Sequence, residues 1–145
     1  MRIETLHPLT AARLAVIASD ASLRTAAVTL SDRRFGLVVV CDKNRRAAGV
    51  VSKHDIVCHL THAGVADAPV ANLMSRDIVS CGPEDDLHAT WQRMAAQRLQ
   101  NMPVLDADAK PLGVLDLRDA LKALFEQEEY QERLLSNYVA GLGYQ

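Results

Sequence analysis

Apolar positions recur along this chain at two periods, and the two alternate. Leu23, Ala26, Ala27 and Leu30 lie three and four residues apart, which predicts one face of a helix, and Leu87, Trp91 and Met94 repeat the pattern. After each helix comes a short apolar run, Leu37-Val38-Val39-Val40-Cys41 or Met102-Pro103-Val104-Leu105. Such runs are too short for a helix and are predicted as strands. Each stops at an aspartate, Asp42 or Asp106, and a polar turn follows at 43–46 or 107–110. A second strand is predicted at Gly49-Val50-Val51 and Gly113-Val114-Leu115, then a helix starting near Asp55 or Asp119. Weaker runs, Ala15-Val16-Ile17 and Ile78-Val79, predict a first strand for each half. Asp20 and Asp85-Asp86 precede the first helix of each half and are expected to cap its free amides.

These elements are two copies of one unit. Shifted by 64 residues, Leu23 falls on Leu87, Arg34 on Arg98, Val40 on Val104, Asp42 on Asp106, Gly49-Val50 on Gly113-Val114 and Asp55 on Asp119, without a gap. Each copy reads strand–helix–strand–strand–helix, an α+β unit whose sheet is too short to bury both faces alone. The two sheets are therefore expected to pack together about a pseudo-twofold axis. Residues 1–66 form the first repeat, 67–125 the second, and the small polar stretch 61–68 connects them.

Residues 126–145 have no counterpart in the first repeat. Leu134, Leu135, Tyr138 and Val139 give them an apolar stripe, Glu126, Glu128, Glu129 and Glu132 an acidic face, and Gly141 and Gly143 are expected to end the helix. The stripe needs cover. A homodimer contact is preferred over packing back on the body or docking an effector.

Composition narrows the function classes. The net charge of −2 argues against strong attraction to nucleic acid or membrane surfaces, and aromatic residues at 4% leave no stacking platform for bases. Residues 24–53 are locally basic, with seven Lys or Arg against two Asp. That stretch reads as a solvated face or as an attractor for a phosphorylated small molecule. Cys41, Cys58 and Cys81 show no metal-type spacing and read as reduced thiols. With no secretory or membrane-spanning pattern, a cytoplasmic protein is expected. Neither a nucleophile elbow nor a phosphate-binding glycine loop is present, so no enzyme is expected.

At this point the ordered motifs carry a resemblance. The segments Met102-Pro103-Val104-Leu105-Asp106 with Gly113-Val114-Leu115-Asp116-Leu117-Arg118-Asp119, and Val38-Val39-Val40-Cys41-Asp42 with Gly49-Val50-Val51-Ser52-Lys53-His54-Asp55, resemble the signature of tandem cystathionine-β-synthase-type (CBS) domains. The lead-in Val70-Ala71-Asn72-Leu73-Met74 is similar to that of a second CBS repeat. The resemblance covers residues 6–125. It implies a stand-alone regulatory module, often dimeric, that binds AMP, ADP, ATP or S-adenosylmethionine between its repeats and signals to an effector protein. No cofactor is implied beyond that adenine ligand.

The resemblance also implies site residues. In the first repeat, Ser52, Lys53, His54 and Asp55 would hold ribose and phosphate, with Ile17, Ala18, Gly36, Leu37 and Val38 beside the adenine. In the second, Asp116, Arg118 and Asp119 take the polar role, with Cys81, Asn101, Met102 and Pro103 beside the adenine. Chemically the first set is sound, since Ser52 can donate to a phosphate and a helix N-terminus offers free amides. Equally, Ser52 and Asp55 could simply cap their helix. Asp116 stands where the motif has Ser or Thr and would repel a phosphate, so a nucleotide is expected to prefer the Ser52/Asp55 cleft, with Arg118 a partial offset. A ligand-free interaction scaffold is the alternative. A less favoured one is a metal or redox sensor on His54, Cys58 and His62, which share a helix face but spread over two turns.

Overall fold

The computed structural model describes residues 1–62 and 64–143. A 3-10 turn (Ile3–Leu6) runs into α1 (His7–Ala12), then β1 (Val16–Ala18), α2 (Leu23–Leu30), β2 (Leu37–Cys41), β3 (Ala47–Ser52) and α3 (Lys53–Thr61). A second 3-10 turn (Val70–Asn72) leads to α4 (Leu87–Ala96), β4 (Asn101–Leu105), β5 (Pro111–Asp116) and α5 (Leu117–Gly143). Of the predicted connector, residue 63 lies outside the described residues, as do residues 144 and 145 of the extension.

Register shows how closely the repeats copy each other. In the first, Leu37 pairs with Ser52 and Val40 with Gly49; in the second, Asn101 pairs with Asp116 and Val104 with Gly113. Both antiparallel pairs break register after the fourth residue, at Val40/Cys41 and Val104/Leu105. The turns explain why Asp42 and Asp106 recur. Asp42 Oδ1 accepts from the Asn44 and Arg46 amides, and Asp106 Oδ1 from those of Asp108 and Lys110, at 2.8–3.0 Å. Each turn then places a non-glycine residue, Arg45 or Ala109, at a left-handed φ of 62°.

Prolines break the symmetry. β1 pairs in parallel with β2, and its ladder includes bonds from Val39 N–H to Ala15 and from Ser19 N–H to Cys41. The matching donors in the second repeat are Pro103 and Pro83, which have no N–H. The predicted strand at Ile78-Val79 is therefore absent, and one bridge at Cys81 remains, held by bonds to Pro103 and from Leu105. The second sheet consists of β4 and β5 alone, against β1-β2-β3 in the first. A third proline acts between the repeats. Ala47 N–H donates to Ala109 C=O at 2.8 Å, and the symmetric bond cannot form because Pro111 occupies the donor position.

Caps are partly as expected. Asp86 accepts from the Ala89 amide at the start of α4, but α2 is capped by Ser22, which accepts from Thr25, because Asp20 lies two residues too early. Asp85 instead closes a turn by accepting from Gly82.

The lead-ins are exchanged between repeats. The turn before α1 bonds to the second repeat (Ile3 N–H to Asp85 C=O), and α1 lies on β5. The second lead-in bonds to the first repeat (Val70 N–H to Ala21 C=O; Val50 and Ser75 paired both ways). Two close approaches fix this arrangement. A Cβ on Gly113 would lie 2.7 Å from the Thr10 carbonyl carbon, and one on Gly49 would lie 2.6 Å from Met74 Sδ.

Alternation then sorts the side chains. Val38 and Val40 face the first repeat's helices beside Leu23, Ala26, Leu30 and Ile56. Leu37, Val39 and Cys41 face the other way and meet Val114, so this cluster is the contact between sheets. The second core holds Ile3 and Leu6 with Leu87, Met94, Met102 and Leu115. The expected two-repeat α+β architecture is thus present. The C-terminal extension continues the last helix of the second repeat in one 27-residue α5, which runs through Gly141 to Gly143 instead of ending there.

Candidate functional site

Two helix starts carry the motif aspartates, and their geometries differ. At α3, Ser52 Oγ accepts from the Asp55 amide at 3.2 Å and Asp55 Oδ2 accepts from the Ser52 amide at 2.9 Å. This reciprocal capping box uses both motif side chains locally. Lys53 and His54 are exposed beside it.

At α5 the residue differs and so does the outcome. Asp116 caps the helix alone, its Oδ1 accepting from the Arg118 and Asp119 amides at 2.9 and 3.1 Å. It is 5% exposed, so its charge is directed at helix amides and away from solvent. Arg118 is largely exposed and only loosely paired with it, at 3.9 Å. Asp119 is thereby released from capping and turns to Arg13, whose Nε donates to Oδ2 and whose Nη2 donates to Oδ1 at 3.1 Å. This bond holds the Arg13 guanidinium above its ordinary pKa against the opposing effect of partial burial. Arg13 also donates to the Arg34 carbonyl.

A cleft of about 340 Å³ opens at this pair, lined by Leu9, Ala12, Arg13, Arg33, Arg34 and Asp119. One wall comes from the first lead-in and the loop before β2, the other from the second repeat. Asp32 pairs with Arg34, so two carboxylates and three guanidiniums leave the mouth net positive. An anion with hydroxyls beside it suits such a wall.

The remaining sequence-predicted residues are distributed as follows. Ile17 and Val38 are buried in the first core, Leu37 in the contact between sheets, and Ala18 is exposed at the end of β1. Met102 and Pro103 are buried, so only their backbone can face a ligand. Burial pushes the Cys81 thiol up to about 12, with Asp85 adding to the effect. Gly36 and Asn101, assigned to different clefts, touch each other: a Cβ on Gly36 would overlap the Asn101 side chain. Sequence reasoning missed Arg13 and Leu9, because they reach Asp119 only through the exchanged lead-in. Arg33 and Arg34 did belong to the basic stretch already noted.

The histidine face does not converge. His54 Nε2 meets Cys58 Sγ at 3.3 Å, while His62 Nδ1 sits 2.7 Å from the Cys58 carbonyl oxygen. Among the described residues, no three His, Cys, Asp or Glu side chains are grouped as a metal ion needs. No helix among them is long and apolar enough to cross a membrane.

Comparison with known proteins gives the same architecture. An uncharacterized 17.7 kDa protein of Acidianus ambivalens is 23% identical over 128 residues, covering 88% of this chain and 77% of that one. Several other curated relatives are much longer, and the chain spans 21–33% of their length. Among solved structures, the CBS domain protein PAE2072 of Pyrobaculum aerophilum, complexed with AMP, superposes with a TM-score of 0.72 at 22% identity over 82% of this chain and 89% of that one. The CBS domain pair of protein MJ0100, in complex with 5′-methylthioadenosine and S-adenosyl-L-methionine, gives 0.73 at 15% identity over 88% and 98%. The CBS domain family matches residues 9–62 and 70–126, one match per repeat, and the chain accordingly belongs to the CBS domain family.

Proposed function

We propose that this chain is a non-catalytic regulatory module that binds an adenosine-containing ligand, AMP, ADP, ATP or S-adenosylmethionine, between its repeats, and that it works as a homodimer signalling to an effector protein. The observation carrying the reading is the Asp119 cleft with Arg13, Arg33 and Arg34 around it. A carboxylate can accept from both ribose hydroxyls, and arginines match phosphate oxygens in fork geometry. The volume of about 340 Å³ lies at the small end of the 300–1,000 Å³ typical of ligand pockets and suits one nucleotide.

This reading moves the favoured cleft. On sequence, Ser52/Asp55 is preferred because Asp116 repels phosphate. In the fold Asp116 is spent on helix amides, and the residue 64 positions after Arg13 is Asp77, so the repeat supplies no matching arginine for Asp55. The positive wall therefore favours Asp119 for a phosphorylated ligand. The Ser52, Lys53, His54 and Asp55 cleft remains available to a ligand with less charge.

A ribose reaching Asp119 has to displace Arg13, which then swings onto the phosphate. Arg13 ends α1, and α1 lies on β5. Occupancy thus becomes movement of the lead-in, provided the ligand binds the two arrangements with different affinity. A thermal-shift screen over AMP, ADP, ATP, NAD and S-adenosylmethionine tests the reading, because a ligand of the native state raises Tm. A shift with at least one adenosine compound, lost in Asp119→Ala, supports it. No shift with any of them favours the ligand-free scaffold, in which the Arg13–Asp119 pair keeps the cleft shut.

A further inference from the structure

The two polar turns meet unequally across the pseudo-twofold axis. On one side the Ala47 amide closes onto the Ala109 carbonyl at 2.8 Å. On the other, Pro111 stands 64 positions after Ala47 and has no N–H, so the Arg45 carbonyl lacks the matching donor. A cleft of about 380 Å³ lies on that side, lined by Val16, Cys41, Arg45, Lys110 and Pro111. Both repeats build it. Val16 in β1 and Cys41 at the end of β2 come from the first, Lys110 and Pro111 at the start of β5 from the second. Val16, Cys41 and Pro111 give apolar walls, and Arg45 and Lys110 are exposed at the rim. No carboxylate lines the cleft, and among the described residues neither cation forms an ion pair. Asp42 and Asp106 turn Oδ1 onto amides of their own turns, and Asp108 is exposed outside the lining. The repeat does not duplicate this pair of cations, because the counterpart of Arg45 is Ala109.

We propose that this cleft binds a small organic acid with one carboxylate head and an apolar body, the head between Arg45 and Lys110 and the body against Val16, Cys41 and Pro111. Arg45 offers a planar fork that matches a carboxylate, and Lys110 adds a second positive charge. A ribose fits poorly, since no lining acid accepts its hydroxyls. A phosphate fits poorly as well. Phosphate sites draw on free backbone amides, whereas the amides of residues 44–47 and 108–110 are all bonded within or across the turns. The volume lies within the range typical of small-molecule pockets. The bound head bridges Arg45 of the first repeat and Lys110 of the second, on the side where Pro111 removes the backbone tie. The cleft shares no lining residue with the one at Asp119, so it stands apart from the nucleotide reading.

Octanoate carries both features, while 1-octanol lacks the charge and acetate lacks the body. Titration of the full chain, followed by proton–nitrogen correlation NMR, should give saturable octanoate shifts at the amides of Val16, Cys41, Arg45 and Lys110. Its affinity should exceed that of either control at least tenfold. Arg45→Gly combined with Lys110→Gln should weaken octanoate at least tenfold. Arg45 holds a left-handed φ of 62°, which glycine adopts without strain, so that variant stays folded and the loss reports the missing cations. Asp119→Ala should leave octanoate affinity unchanged. The absence of saturable shifts overturns the proposal, as does full affinity in the double variant. Equal binding of acetate, which marks an adventitious ion only, or of 1-octanol, also overturns it. So do shifts that map onto Arg13, Arg33 and Arg34 instead.

Discussion

Gly113→Ala tests the exchanged lead-in through the sign of its effect. Gly113 lies in β5 without a positive φ, so alanine can adopt its backbone conformation. In open surroundings that change stabilises by about 0.4–1 kcal/mol, because the unfolded chain has less freedom to lose. Here the added Cβ meets the Thr10 carbonyl carbon and Oγ1 at 2.7 Å and Thr10 Cβ at 2.8 Å, about 0.8 Å inside normal carbon contact. All three atoms belong to Thr10, which is 4% exposed, and one of them is backbone, so no rotamer change relieves the overlap. Overpacking of this kind costs about 1–3 kcal/mol, which outweighs the entropic gain. Urea denaturation of wild type and variant measures the difference at constant slope. Of these three atoms Thr10→Ala removes Oγ1 alone, so the double variant recovers part of the loss. Gly141→Ala supplies the contrast: an exposed helical position with nothing within 4 Å, where stability rises by about 0.5–1 kcal/mol. A stabilised or unchanged Gly113→Ala would refute the packing of α1 on β5.

Three further outcomes are expected. Ala109→Gly relieves a left-handed alanine worth about 1–2 kcal/mol and forfeits part of that to unfolded-chain entropy, so a net gain of about 0.5–1 kcal/mol should appear as a higher urea midpoint. The Ala89 amide holds the Asp86 carboxylate below its ordinary range. Its contribution is therefore present above the unfolded value of about 4 and fades as pH falls through the lowered one. Asp86→Asn keeps the cap and removes that part of the acid slope. Ellman's reagent should label one thiol quickly in the native chain, the half-exposed Cys58, and all three only on unfolding, since burial raises both Cys41 and Cys81. Rapid labelling of two or more native thiols would contradict the burial of Cys41 between the sheets and of Cys81 beside β4.

The repeat was legible because its markers are obligatory turn and strand-end residues. Asp42 and Asp106 tie off identical turns, and Gly49 and Gly113 leave room for a lead-in, so their spacing survived where most core residues drifted. What was not legible depended on partners distant in sequence. Pro83 and Pro103 each remove one donor from a strand whose apolar pattern still reads as a strand, and only the pairing shows that both donors were needed. Arg13 meets Asp119 across 106 positions because the lead-ins cross over, and no local periodicity encodes a crossover. Asp116 looked repulsive as a charge at a motif position. Its role changed once the helix amides it faces were counted.

Isothermal titration of AMP into wild type, Asp119→Ala and Asp55→Ala tests the central claim most directly. The account predicts saturable binding by wild type, at least tenfold weaker binding by Asp119→Ala, and little change for Asp55→Ala, whose carboxylate is engaged in its capping box. Equal losses in the two variants, or a loss confined to Asp55→Ala, would contradict the assignment of the phosphate-bearing ligand to the arginine-lined cleft.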